Sequence, residues 1–207
     1  LKAAAAMLDR LPNVVLEVTP AKAGRLTATV DPATGFDASL YARATCGSGA
    51  DLACAEDGFT GEVETIELDV EAGTPVYVVV DGYSGDSGAF SATMTLKERP
   101  KNDTCQTAEA LDLVAGTPLV VKASTAAAKD SGHGSCGGSS AVPDVFYSIT
   151  PPVSGNLALT LQPASGFDTV LYVYEGTCGA SASEVDCDDA TGSSAESLTI
   201  PVTAGKT

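Results

Sequence analysis

The chain has 207 residues, enough for one large domain or two of about 100 residues each. Its formal charge of −16 argues against a nucleic-acid backbone or an anionic membrane surface as partner, and it holds no apolar run of about 18 residues that would insert into a bilayer. Hydrophobic residues make up 44% but aromatics only 5%, with no tryptophan, so Val, Leu, Ile and Ala must pack the cores.

The opening "LKAAAAMLDRLPN" carries four consecutive alanines and predicts a short helical turn over 1–10. It lacks the apolar segment and cleavage site of a signal peptide, so an export signal is expected outside this sequence. Short, β-branched, partly alternating stretches follow in chain order: "VVLEV", "RLTATV", "SLYARA", "TIELDV", "VYVVV" and "FSATMTL". Thr-Pro, Ala-Gly, Asp-Pro and Gly-Ser turns separate them at about 8–12-residue spacing, which predicts an all-β, antiparallel sandwich of jelly-roll type. "LKERPKND" at 96–103 is charged and poor in apolar residues. It predicts a first domain over 1–97, divergent at its start, a linker over 98–103 and a second domain over 104–207. "QTAEALDL" at 106–113 could hold one or two helical turns, and "NDT" at 102–104 is a formal N-glycosylation acceptor to which no weight is given.

The second domain repeats the first. "LPNVVLEVTPAKAGRLTATVDPATGFDASLYARATCG" at 11–47 lies over "VPDVFYSITPPVSGNLALTLQPASGFDTVLYVYEGTCG" at 142–179, offset by 131 to 132 positions. Beyond the cysteine loops, "TIELDVEAGT" parallels "LTIPVTAGKT". The second copy then stops where the counterpart of residues 74–96 would begin, which predicts a sandwich short of its closing strands. The preferred explanation is that the sequence is an excerpt of a longer protein; the other is completion of the sheet by a strand from another copy.

Six cysteines are present and no CxxC pair. Zinc is therefore disfavoured, and disulfides in an oxidising compartment are expected. The short loops recur with nearly equal spacing, which predicts Cys46–Cys54 and Cys178–Cys187 and leaves Cys105–Cys136.

"DVFYSITPPVSGNLALTL", "FDTVLYVYEGTC", "VDCDDATG" and "SLTIPVTAG", with the first copy's "AGTPVYVVVDGYSGDSGAFSATMTL", resemble the bacterial pre-peptidase C-terminal domain family. "NDTCQTAEAL…CGG" resembles the Cys-bearing opening of many such tandem domains, an opening the first copy replaces with "LKAAAAMLDR". The resemblance implies non-catalytic β-sandwich modules of secreted or cell-surface proteins, with the periplasm as the alternative compartment. Their partners would be other domains of a larger protein, identical subunits or an extracellular polymer. The expected role is adhesive or structural. The alternatives are an accessory extension of a secreted peptidase or hydrolase, and a fibre subunit completed by strand exchange.

Catalysis finds little support. His133 is the sole histidine, in the Gly/Ser-rich "DSGHGSCGG", and a triad would need Asp130 or Asp144 with Ser135 or Ser139. "GKT" at 205–207 lacks the upstream glycine of a phosphate-binding loop. No cofactor is required. Calcium is the one ion considered, because carboxylates recur at matching places: Asp37 and Asp168 after "GF", then Glu56, Asp57, Asp188 and Asp189 after the second loop cysteine. Turn capping explains the same residues more simply. Tyr83 in "DGYSGDSG" is the one ligand-contact candidate, whereas Tyr41 and Tyr172 read as core packing.

Overall fold

The computed structural model describes the backbone of residues 2–6 and residues 13–56, 58–138, 142–178 and 183–207. It divides into two compact units, 1–99 and 100–207. Nearly all regular structure is β, and no helix among the described residues is long and apolar enough to cross a membrane.

Unit 1 contains β1 (Lys2–Ala6), β2 (Val14–Thr19), β3 (Gly24–Pro32), β4 (Ala38–Arg43), β5 (Asp51–Ala55), β6 (Glu64–Val70), β7 (Val76–Gly82) and β8 (Phe90–Glu98). They form an antiparallel sandwich of a five-stranded sheet, β1-β2-β7-β4-β5, and a three-stranded sheet, β6-β3-β8. The alternation in "GRLTATV" and "ETIELDV" turns Leu26, Ala28 and Val30, and opposite them Leu68 and Ile66, toward the core. From the larger sheet, Val18, Leu40, Ala42, Val78 and Val80 complete that core, each at 1% exposure or less. β7 lies between β2 and β4, and Val79 is buried on the face opposite Val78 and Val80, so "VYVVV" is a nearly continuous apolar run and not a strictly alternating one.

Unit 2 contains β9 (Glu109–Leu111), β10 (Tyr147–Ile149), β11 (Gly155–Leu161), β12 (Leu171–Tyr174), β13 (Glu184–Asp188) and β14 (Glu196–Val202). The repeat preserves register. Leu157↔Ile200 and Leu159↔Leu198 restate Leu26↔Leu68 and Ala28↔Ile66, and Tyr172↔Cys187 restates Tyr41↔Cys54. Among the described residues, the positions of β7 and β8 have no counterpart, and β11–β14 and β12–β13 remain two-stranded.

Several local expectations are corrected. The alanine run, intrinsically a helix former, pairs as β1 along the edge of β2, from Lys2↔Thr19 to Ala6↔Val15, so sheet pairing overrides propensity. The cysteine loop of unit 1 contains a strand, β5. Residues 106–113 form no α-helix; a 3-10 turn at Cys105–Thr107, closed by reciprocal Thr104 and Thr107 side-chain bonds, leads into β9. β9 pairs with β10 in parallel, an exception to the antiparallel rule. The expected linker over 98–103 shrinks. Arg99 bonds Glu71 at 3.0 Å within unit 1, while Asn102 and Asp103 are buried in unit 2.

The disulfide pairing also differs. Cys105 joins Cys178 and Cys136 joins Cys187, with Cα separations of 5.6 and 5.8 Å. The recurring spacing marks equivalent positions, not partners. Cys187 stands on β13 opposite Tyr172 and Cys178 lies beyond the end of β12, so each reaches a segment packed over the sheet. Neither of these two bonds involves Cys46 or Cys54.

Candidate functional site

Residues 102–146 act as a strap of unit 2. Asn102 begins it: its Nδ2 donates to Phe146 O at 3.0 Å, and its own carbonyl accepts the Phe146 N–H at 2.8 Å. Asp103 Oδ1 accepts the Lys129 N–H at 2.6 Å. This burial removes Asn102 from consideration as a glycosylation acceptor. The strap then crosses β12, where a Cβ added at Gly134 would lie 2.6 Å from Cys187 Sγ and 2.8 Å from the Tyr172 ring. Only a glycine permits that approach. Tyr172 is therefore half-buried beneath the strap, edge-on to Tyr174 at 5.5 Å, and burial holds its phenol well above the usual range.

The strap accounts for the residues a catalytic triad would need. The Tyr174 hydroxyl donates to His133 O at 2.9 Å, Ser135 bonds Glu184, and Asp144 Oδ2 accepts the Ser131 and Gly132 N–H groups at 3.1 and 2.8 Å. Ser135 and Asp144 thus serve separate structural contacts, His133 contributes only its backbone carbonyl, Asp130 is exposed, and Ser139 lies outside the described residues.

The acidic candidates are dispersed into turns. Among the described residues, no three or more His, Cys, Asp or Glu side chains gather to hold a metal. Asp188 Oδ2 accepts the Ser197 N–H at 2.6 Å, Glu56, Asp168 and Asp189 are exposed, and Asp57 lies outside the described residues. Asp37 is engaged through its backbone: its N–H donates to Asp86 at 2.9 Å and its carbonyl accepts from the Tyr83 N–H at 2.9 Å. Bonds from the Asp37 and Ser87 N–H groups lower the Asp86 carboxyl below its ordinary value. Tyr83 is 51% exposed on that loop. Tyr41 is not core: β4 turns Leu40 and Ala42 inward, and Tyr41 outward, where the Arg43 guanidinium covers its ring at 4.6 Å.

Sequence reasoning missed a matched pair of buried glutamates. Glu64 is 4% exposed and Glu196 fully buried. Each begins a strand and folds back on the preceding loop, where its carboxylate accepts a backbone N–H six residues upstream: Gly58 at 2.9 Å and Ala190 at 2.6 Å. Thr169 Oγ1 adds a bond to Glu196 at 3.3 Å. The signal was available, since "ETIELDV" and "ESLTIPV" place Glu identically, but acids were sought near cysteines.

The open strand edges of unit 2 are its most distinctive surface. β3 pairs on both sides, with β6 and β8; β11 pairs only with β14. β4 pairs with β5 and β7; β12 pairs only with β13. The side chains follow. Phe36 is 4% exposed, its ring 6.5 Å from Phe90 of β8, whereas its equivalent Phe167 is 43% exposed. Leu26 and Leu40 are fully buried, while Leu157 and Leu171 are only half-buried. A Cβ at Gly24 would sit 2.0 Å from Lys97 O, yet one at Gly155 would meet nothing within 4 Å.

Residues 101–203 match the model of a T9SS-associated family described as "Galactose binding domain-like", a stretch that covers almost all of unit 2. The match agrees with the pre-peptidase C-terminal resemblance in its secreted setting and names a different family. No curated protein matches the chain, and no solved structure does.

Proposed function

We propose that the chain is a non-catalytic, extracellular or cell-surface module whose β-sandwiches serve an adhesive or architectural role beside other domains of a larger protein. The observation that carries this reading is the disulfide-stapled strap within the span that matches the T9SS-associated family. Two disulfides that tie the strap to its sheet fit an oxidising compartment, because cytosolic thiols stay reduced. The engagement of Ser135 with Glu184 and of Asp144 with the Ser131 and Gly132 N–H groups favours a binding or spacing role over hydrolysis. Acidity suits a solvated surface module.

The test is fractionation of the producing cell with an antibody against the chain, followed by thiol labelling before and after reduction. The expected result is recovery at the surface or in the medium, with reduction releasing four thiols from Cys105, Cys136, Cys178 and Cys187. Cytoplasmic recovery with those four thiols already labelled would overturn the reading.

A further inference from the structure

Three loops of unit 1 gather at one end of its sandwich. Residues 33–37, 56–63 and 83–89 each cross there between the two sheets, because Val30↔Glu64, Pro32↔Phe90, Leu40↔Ala55 and Ala38↔Gly82 bring the strand ends together. The middle loop holds the other two. The Gly61 N–H donates to Phe36 O and the Tyr83 N–H to Asp37 O, each at 2.9 Å. β5 and β7 flank β4, so those two loops leave the sheet two strand spacings apart, about 10 Å. Phe59, at 80% exposure, stands on one and Tyr83 on the other; with Val63 they are three of the four exposed large hydrophobics of unit 1 among the described residues. Neither ring stands on slack chain. Glu64 and Glu62 hold the Gly58 and Phe59 N–H groups at 2.9 and 3.1 Å. On the other loop, a Cβ at Gly82 would lie 1.7 Å from Asp86 O, and Ser84 keeps a left-handed φ of 54°.

We infer that this end of unit 1 is a docking surface for a basic peptide segment of a partner protein, whose lysine or arginine side chains sit against the Phe59 and Tyr83 rings. Charge selects that occupant. The three loops contain no lysine or arginine and five acids: Asp37, Glu56, Asp57, Glu62 and Asp86. Glu62 and Asp86 are engaged with backbone N–H groups. The Asp37 carboxylate, at the strand entry between the two ring-bearing loops, accepts no hydrogen bond among the described residues, and Glu56 is exposed. An aromatic face attracts a cation through its quadrupole, and a carboxylate beside it adds a charge-assisted bond. A neutral polymer would leave that charge unused, and an anionic one would be repelled. The equivalent loop of unit 2, residues 189–195, contains no aromatic residue, so the surface belongs to unit 1. The inference deepens the adhesive reading proposed above and rests on it for an extracellular partner.

The test follows the fluorescence anisotropy of a labelled peptide of alternating arginine and glycine as the full chain is added. A double variant, Phe59→Ala with Tyr83→Ala, keeps the net charge, so it separates the rings from diffuse attraction to an acidic protein. It should bind on the order of tenfold more weakly, Asp37→Asn severalfold more weakly, and added salt should weaken the native chain. Hydrogen exchange of β3 and β4 should be unchanged in both variants, because none of the three side chains belongs to the core. Equal binding by the double variant, or no binding by the native chain, overturns the inference. So does ring-dependent binding of a neutral oligosaccharide such as maltoheptaose in place of the peptide. A chain recovered from the cytoplasm that still binds the peptide through these rings would overturn the surface location alone, so the two readings fail separately.

Discussion

Phe36 and Phe167 occupy the same place in two copies of one sequence pattern, and one is buried while the other stands in water. The difference lies in neither residue nor in its immediate neighbours. Register, turns and pairing across β3–β6 and β11–β14 agree residue by residue. What differs is a pair of strands distant in sequence. Local pattern is therefore enough to form the strands of such a sandwich, whereas burial of Phe36 depends on β8, whose Phe90 ring stands beside it. Among the described residues, eight large hydrophobics stand exposed in unit 2 (Val114, Leu119, Val120, Val121, Val142, Val153, Phe167 and Val185) against four in unit 1 (Leu52, Phe59, Val63 and Tyr83). Five of those eight, Val114, Leu119, Val120, Val121 and Val142, lie on the strap and not on the edges of β11 or β12.

The comparison also shows how the two units are held. Unit 1 relies on a closed apolar core; unit 2 adds covalent staples across 73 and 51 residues of chain. The sharpest way to break unit 2 alone is to remove one staple. Cys105→Ser with Cys178→Ser should lower the stability of unit 2 by about 4 kcal/mol in the loop-entropy treatment, with the unit 1 transition unmoved. Urea unfolding followed by peptide-resolved hydrogen exchange separates the two. An equal loss in both units would mean that the staple's effect is not confined to unit 2.

A second experiment measures closure itself. Leu26→Ala should destabilise unit 1 by about 3 kcal/mol, since the side chain is fully buried and leaves a cavity. Leu157→Ala, at the equivalent place on an open edge, should cost unit 2 no more than about 1–1.5 kcal/mol, because only a half-buried side chain loses its contacts. Similar losses from the two substitutions would show that β11 is covered in solution.

The smallest effect concerns the strap, which only unit 2 carries among the described residues. Burial raises the Asp144 carboxyl above its ordinary value, although two backbone N–H groups pull the other way, and Oδ1 is buried with no hydrogen-bond partner. A carboxyl with a raised folded-state value destabilises when charged and not when protonated. Asp144→Asn should therefore stabilise unit 2 by less than about 1 kcal/mol at pH 7, with the amide oxygen turned to the place of Oδ2 so that it accepts both N–H groups. The gain should vanish as pH falls below the ordinary carboxylate range, where the native aspartate is neutral in both states. Thermal unfolding at pH 7 and pH 3 provides the check.

Much of this was legible in the sequence. Six strands of unit 1 follow from β-branched runs between Gly and Pro turns, and the duplication transfers four of them, β2, β3, β4 and β6, to unit 2 as β10, β11, β12 and β14. The all-β, tandem-sandwich fold and the missing closing strands follow from pattern alone, because side-chain alternation and turn chemistry are properties of a few adjacent residues. The disulfide partners were not legible. A cysteine's spacing to its neighbour records the hairpin it sits on, while its partner is set by which distant segment packs over that hairpin; here the strap from Asn102 to Phe146 decides it. The buried glutamates escaped for a related reason, since a carboxylate's burial depends on the loop folded around it. Asn102 shows the same rule from the other side: "NDT" reads as an exposed acceptor until its amide is found bonded to Phe146. Sequence thus determined the strands, their register and the repeat. The tertiary structure alone decided which cysteines meet and which acids are buried, because each depends on contacts between residues tens of positions apart.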